Sequence, residues 1–279
     1  MIQIENLSFS YSKKQPLFDQ LNLTLPSGNI YGLLGKNGAG KSTLLKIIAG
    51  LLFPRHGKLD VAGFSPKDRC PKFLSEIYLI TEEFSLPSMN MERFVHLYSP
   101  FYPRFNHILL ESYINEFKLP REQKLSDMSY GQKKNFLLSF GIATECNLLI
   151  LDEPTNGLDI PSKSQFRKIV ANAINDDRSF IISTHQVRDM QNLIDPIIII
   201  DEGKIIFFQD HEQITKKLAF TKQAELPDKS NLVYYESSLG GYTLVKENTY
   251  MEETRMNLEM LFNAVVSNKG RINEIFKKQ

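Results

Sequence analysis

The run Gly35-Lys36-Asn37-Gly38-Ala39-Gly40-Lys41-Ser42 constrains this chain more than any other feature, because such a loop works only between a buried strand and the start of a helix. Residues 30–34 read as that strand. Residues 42–52 carry Leu44, Leu45, Ile48, Leu51 and Leu52 at helical spacing, with Pro54 expected to stop the helix. Gly35, Gly38 and Gly40 let the backbone wrap closely around phosphates with its N–H groups turned inward, and the helix adds its positive end. In a loop of this kind Lys41 reaches the β- and γ-phosphates and the Ser42 hydroxyl holds Mg²⁺. Asn37, Ala39 and Thr43 complete the phosphate-facing stretch.

A second signal lies far downstream, where Leu148-Leu149-Ile150-Leu151 delivers Asp152 and Glu153 to the carboxyl end of a strand, the place where α/β proteins put ligands. Asp152 is suited to holding hydrated Mg²⁺ and Glu153 to polarising an attacking water as general base. Between the two signals, residues 84–146 lose β-branched alternation and read as helical, with candidates at 91–98, 107–117 and 132–144. Apolar alternation at Ile2 and Ile4 and at Leu21, Leu23 and Leu25 predicts an antiparallel edge. Residues 148–151, a helix over 162–175 and the run 180–183 restore a βαβ rhythm, and Asp201-Glu202-Gly203-Lys204 marks a hairpin. The fold class expected is α/β: a phosphate-loop NTPase core with an N-terminal antiparallel β subdomain and an inserted α-helical subdomain. The catalytic domain is expected over 1–215, with a C-terminal extension of mixed α/β character over 216–279 that includes strands near 231–235 and 242–246 and a helix over 257–267.

Met128-Ser129-Tyr130-Gly131-Gln132 stands before the Asp-Glu pair where ATP-binding cassette (ABC) ATPases carry Leu-Ser-Gly-Gly-Gln, and by it the chain resembles that family over about 1–215. Alone, Ser-x-Gly-Gln reads as a helix cap; a serine hydroxyl and a glycine backbone at a helix start also make a phosphate receptor. Met128 and Tyr130 depart from the common form. The resemblance implies that Tyr11 stacks on adenine, that Ser129, Gly131, Gln132 and Asp159 meet the nucleotide or its neighbour across a dimer interface, and that His185 touches the γ-phosphate. A lone tyrosine on a β-edge, or a histidine after a strand, is otherwise commonly structural. Glu82 occupies the position where the family usually has glutamine; a carboxylate there can still ligate Mg²⁺.

What the resemblance implies is ATP hydrolysis with Mg²⁺, catalysed through Glu153, His185 and Lys41, by a head-to-tail homodimer or heterodimer that sandwiches two nucleotides and drives a separate polytopic membrane subunit. The segments 78–83, 101–106 and 257–262 are similar to exporter subunits, so export is favoured over import. The alternative is a soluble ABC ATPase that remodels a nucleic-acid, ribosomal or cell-division complex.

With 33 basic against 32 acidic residues the net charge is +1, which offers no general field for nucleic acid, and no nucleic-acid partner is expected. Cys70 and Cys146 read as ordinary core or near-core residues. The longest apolar runs are closed by Asp152 and Asp201, too short for the roughly 20 residues that span a bilayer. The expected location is the cytoplasmic side of the membrane, held through the membrane subunit.

Overall fold

Ile2, Ile4, Leu7 and Phe9 are buried while Gln3 and Glu5 face out, and this alternation makes β1 (Ile2–Phe9) one half of an antiparallel pair with β2 (Phe18–Leu25). The structure is a computed structural model that describes residues 1–12, 15–225 and 231–277. β3 (Ile30–Leu34), buried along its whole length, runs through the glycine loop into α1 (Lys41–Ile48), and β4 (His56–Val61) returns to the free side of β1. After α2 (Pro71–Ser75) and β5 (Ile77–Ile80) come α3 (Met91–Tyr98), α4 (His107–Glu116) and α5 (Tyr130–Ala143). These helices close around their own core of Met91, Phe94, Leu110, Phe136 and Phe140.

The chain then lays down β6 (Leu148–Asp152), α6 (Ile160–Ala173), β7 (Ser179–Thr184), α7 (Val187–Met190), β8 (Ile197–Asp201) and β9 (Lys204–Gln209). Six strands join in the order β5-β6-β7-β3-β8-β9, parallel except for the final hairpin. Both faces are covered, which is why the inner strands are continuous apolar runs. Leu149 and Leu151 face a cluster with Phe166, Val170 and Ile182. Leu148 and Ile150 face the opposite one, with Tyr31, Leu33, Leu45 and the antiparallel β2-β1-β4 sheet.

Beyond α8 (His211–Lys217), the strands β10 (Leu218–Gln223), β11 (Leu232–Ser238) and β12 (Gly241–Glu247) form a second antiparallel sheet, followed by α9 (Leu258–Ser267) and α10 (Lys269–Lys277). Leu258, Leu261, Val265 and Ile275 share one apolar cluster with Phe166 and Met190, so this stretch packs into the core rather than beside it. Of the stretch 216–279, residues 226–230 and 278–279 lie outside the described residues.

The helix after the glycine loop is shorter than its apolar spacing predicts. It ends at Ile48 rather than Leu52, because Gly50 takes φ 67 and a Cβ there would lie 2.6 Å from the Pro66 carbonyl oxygen. Leu51 is consequently half exposed. Pro54 plays no part in stopping the helix. Conversely, α5 and α6 each begin two residues before their expected starts, since Ser129 and Asp159 act as N-caps.

Candidate active site

β6, β7 and β3 lie side by side, and their carboxyl ends carry Asp152-Glu153, His185 and the glycine loop respectively. The sheet register fixes the spacing, with Leu34 opposite Thr184 and Asp152 opposite Ser183. At the base of the loop, a Cβ on Gly35 would stand 2.6 Å from the Ile200 carbonyl oxygen; Gly40 takes φ 108 with the Phe18 ring against it. No larger residue fits either place without moving backbone or core. Lys41, only 7% exposed, turns back to donate to the carbonyls of Gly35 at 2.7 Å and Lys36 at 3.2 Å, and its ammonium stands 3.8 Å from Glu153 Oε1. Burial pulls its pKa below the usual lysine value, while Glu153, Asp152 and Glu82 push the other way.

An open cavity of about 470 Å³ is lined by Tyr11, residues of the loop including Asn37, Gly38, Gly40, Ser42 and Thr43, and Lys41, Glu82 and Glu153. Ala39, in the same loop, is buried. The Tyr11 hydroxyl lies 2.9 Å from Thr43 Oγ1, while most of the ring remains in water with its edge supported by Phe9.

Glu153 has φ 48, unusual for a residue with a side chain and held here by several partners. Its N–H donates to Ser183 Oγ and to the Ser183 carbonyl, each at 3.1 Å, and its carbonyl accepts from the Lys134 ammonium at 2.6 Å. Its carboxylate accepts from the His185 N–H at 3.0 Å and lies 2.8 Å from His185 Nδ1. A carboxylate only accepts, so a proton sits on His185 Nδ1 and the ring donates to Glu153. The Ser183 hydroxyl also donates to Asp152 Oδ1, orienting that carboxylate. Ser42, Asp152 and Glu82 together offer only oxygen donors. Among the described residues no group of three His, Cys, Asp or Glu side chains is arranged to hold a metal ion unaided.

Glu82 is exposed, and its Oε1 accepts from Asn156 Nδ2 at 2.9 Å; Asn156 Oδ1 in turn accepts from Gln186 Nε2 at 2.9 Å. Ser129 caps α5 in a reciprocal box with Gln132, its side chain accepting from the Gln132 N–H and Gln132 Oε1 accepting from the Ser129 N–H. Asp159 accepts from the Ser162 N–H, and hydrogen bonding from the Ser162 side chain first, then from its backbone, holds the Asp159 carboxyl below the usual range. Ser129, Gly131, Gln132 and Asp159 do not line the cavity that holds Lys41 and Glu153. Within one chain, the predicted residues therefore fall into two separate groups.

Sequence reasoning missed Ser183, Lys134, Asn156 and Gln186 as parts of the site. Lys134 left a faint signal, a cation leading into the run Phe136-Leu137-Leu138 on a helix; it is 3% exposed, and burial pulls its pKa down to about 8 against the opposing charges of Glu82, Glu153 and Asp152. The amide links had none, since they join residues from distant parts of the chain.

Comparison with known proteins gives concordant findings. The family described as ABC transporter matches residues 18–156. The lantibiotic transport ATP-binding protein SrtF of Streptococcus pyogenes is 32% identical over 222 residues, 76% of this chain and 92% of that protein. The molybdate import ATP-binding protein MolC of Haemophilus influenzae is 28% identical over 224 residues, 77% of this chain and 85% of that one. Among solved structures, a dimeric ATP-binding cassette in a post-hydrolysis state bound to ADP and Pi superposes with a TM-score of 0.67 at 19% identity, covering 75% of this chain and 98% of that one. Similarity to that structure concerns the fold.

Proposed function

The chain belongs to the ABC transporter family as an ATP-binding subunit and ATPase, and from that premise we propose that two cassettes, identical or paired with a related one, sandwich two ATP molecules head to tail and power a separate membrane-spanning subunit. The observation that carries this reading is the division of the site residues. Lys41, Ser42 and Glu153 share one cavity, whereas Ser129, Gly131, Gln132 and Asp159 sit outside it on exposed or half-exposed helix starts. Beside Asp159, Ile160 is 85% exposed, an apolar surface suited to burial against a second cassette. In the dimer, the Ser129 end of one copy would complete the phosphate shell begun by residues 35–43 of the other.

Ser42, Asp152 and Glu82 would hold Mg²⁺; an all-oxygen set with few carboxylates suits an ion that takes its remaining ligands from water and phosphate. The metal neutralises charge on the transferred phosphoryl group when bound. Glu153, oriented by Ser183 and His185, takes the proton of the attacking water. Tyr11 offers its exposed ring to adenine. Tyr11→Ala should weaken ATP binding about 2- to 12-fold, given roughly 0.5–1.5 kcal/mol for an aromatic contact; a fluorescence titration in which affinity is unchanged would remove Tyr11 from the adenine site.

Among the described residues no helix is long and apolar enough to cross a membrane. An open groove of about 760 Å³, lined by Leu51, Leu74, Leu79, Tyr98 and Phe101, runs between the parallel core and the helical segment, and Phe101 is 68% exposed. Its apolar lining suits the docking of a membrane subunit's cytoplasmic helix, which would pass nucleotide-driven movement of α3, α4 and α5 to the pore. Export is favoured over import by the likeness of segments 78–83, 101–106 and 257–262 to exporter subunits. Affinity capture of the tagged chain from native membranes in mild detergent should recover a polytopic protein, and Phe101→Asp should lose it while ATPase turnover persists. Recovery of only soluble or nucleic-acid partners would favour a remodelling ATPase instead.

A further inference from the structure

Most helix lysines lay their stems along the surface and keep the ammonium in water. Lys134 does the opposite. It stands just past the first turn of α5, 3% exposed, and its ammonium donates to the Glu153 carbonyl at 2.6 Å and the Asn156 carbonyl at 3.1 Å, with the Tyr130 ring centroid 5.2 Å away. A buried ammonium persists only where its partners are well placed. Here those partners bracket the turn in which Glu153 holds its left-handed backbone, φ 48. Tyr130 supplies a second tie from the same helix start: its hydroxyl donates to the Glu82 carbonyl at 2.8 Å and its ring stacks on Phe84 at 5.3 Å.

We propose that Lys134 is a positioning residue for ATP hydrolysis: by clamping the carbonyls of Glu153 and Asn156, it makes the presentation of the Glu153 carboxylate depend on where the Ser129 end of α5 stands. This rests on the reading of Glu153 as the base. Lys134 does not itself line the cavity and reaches its lining only through the backbone carbonyl of Glu153, so it acts on the rate of the chemical step and not on nucleotide capture. In a sandwich dimer, contact of the partner's nucleotide with Ser129 would thereby reach Glu153 of the same subunit through a single side chain.

The test compares kcat, KM and ATP affinity of the full-length chain with its captured partner. Lys134→Met should lower kcat by roughly 10- to 100-fold, the scale of a small misplacement of a reacting group, with KM and ATP affinity within about twofold of wild type. Lys134→Arg, which spans the same carbonyls with a guanidinium, should restore part of the rate. Wild-type kcat in Lys134→Met, or kcat and affinity falling together without rescue by Arg, would overturn the proposal. If the Met variant cannot be isolated folded, Lys134→Gln, with two N–H donors on a shorter arm, is measured in its place; an intermediate kcat at constant affinity supports the clamp and a wild-type kcat overturns it. Glu153→Gln is the control: if it is inactive while Lys134→Met turns over normally, only the clamp fails, and if it hydrolyses ATP normally, the base and the clamp fail together.

Discussion

Lys41→Ala should raise the dissociation constant for ATP by about 100-fold or more. A hydrogen bond to a charged group contributes roughly 1.5–3 kcal/mol, and 1.4 kcal/mol is a factor of ten in affinity. Lys41 is placed to make such bonds because it opens α1, with its ammonium already turned over the loop toward Gly35 and Lys36. Burial makes the ammonium costly to keep charged, and Glu153, Asp152 and Glu82 offset that cost; anionic phosphate oxygens would do so further. Alanine removes the charge and also the brace across the loop, so the variant should lose a few degrees of thermal stability as well, on the scale of about 1 kcal/mol. Titration calorimetry decides the matter, and an unchanged affinity would contradict the assignment of residues 35–43 to phosphate.

Glu153→Gln should leave ATP affinity near wild type and lower hydrolysis by about 10³-fold, within the range for a lost general base. The amide keeps the size of the carboxylate, and its oxygen can still accept from the His185 N–H and Nδ1, so the local geometry survives. What disappears is basicity. With ATP and Mg²⁺ supplied but not consumed, the variant should accumulate as a closed dimer, visible as a doubled mass in light scattering coupled to gel filtration. A variant that stays monomeric under those conditions would rule out the sandwich, and one that hydrolyses at the wild-type rate would move the base elsewhere.

The two substitutions probe parts of the site that were legible for a common reason. The phosphate loop needs glycines, a lysine and a hydroxyl within one continuous run, and Asp152-Glu153 need only a strand to carry them. Chemistry of that kind is written in neighbouring residues. Boundaries were less legible, because they depend on contacts with distant chain. Gly50 ends α1 through its approach to Pro66, which no spacing of apolar residues announces. β4 escaped notice because it is one edge of its sheet and only Val61 is buried in it, so no alternation was available to read. β10 and α10 are illegible for a different reason: Leu218, Phe220, Ile272 and Ile275 join the main core through contacts with distant chain that no local pattern announces.

The sequence by itself determined the strand, glycine loop and helix order around residues 35–42, the strand-borne acids, the residue that follows β7 as His185, and the family, since each depends on side chains a few positions apart on a backbone of known form. Only the tertiary structure decided how these groups are held. Glu82 meets Asn156 across 74 residues, and Lys134 meets Glu153 across 19, because a helix and two strand ends converge there. The same convergence puts Ser129 and Asp159 outside the cavity of their own chain. A pattern along one strand or helix specifies which face is buried, but the partner of a buried polar group is chosen by packing in three dimensions, where the cost of leaving that group unpaired selects the contact.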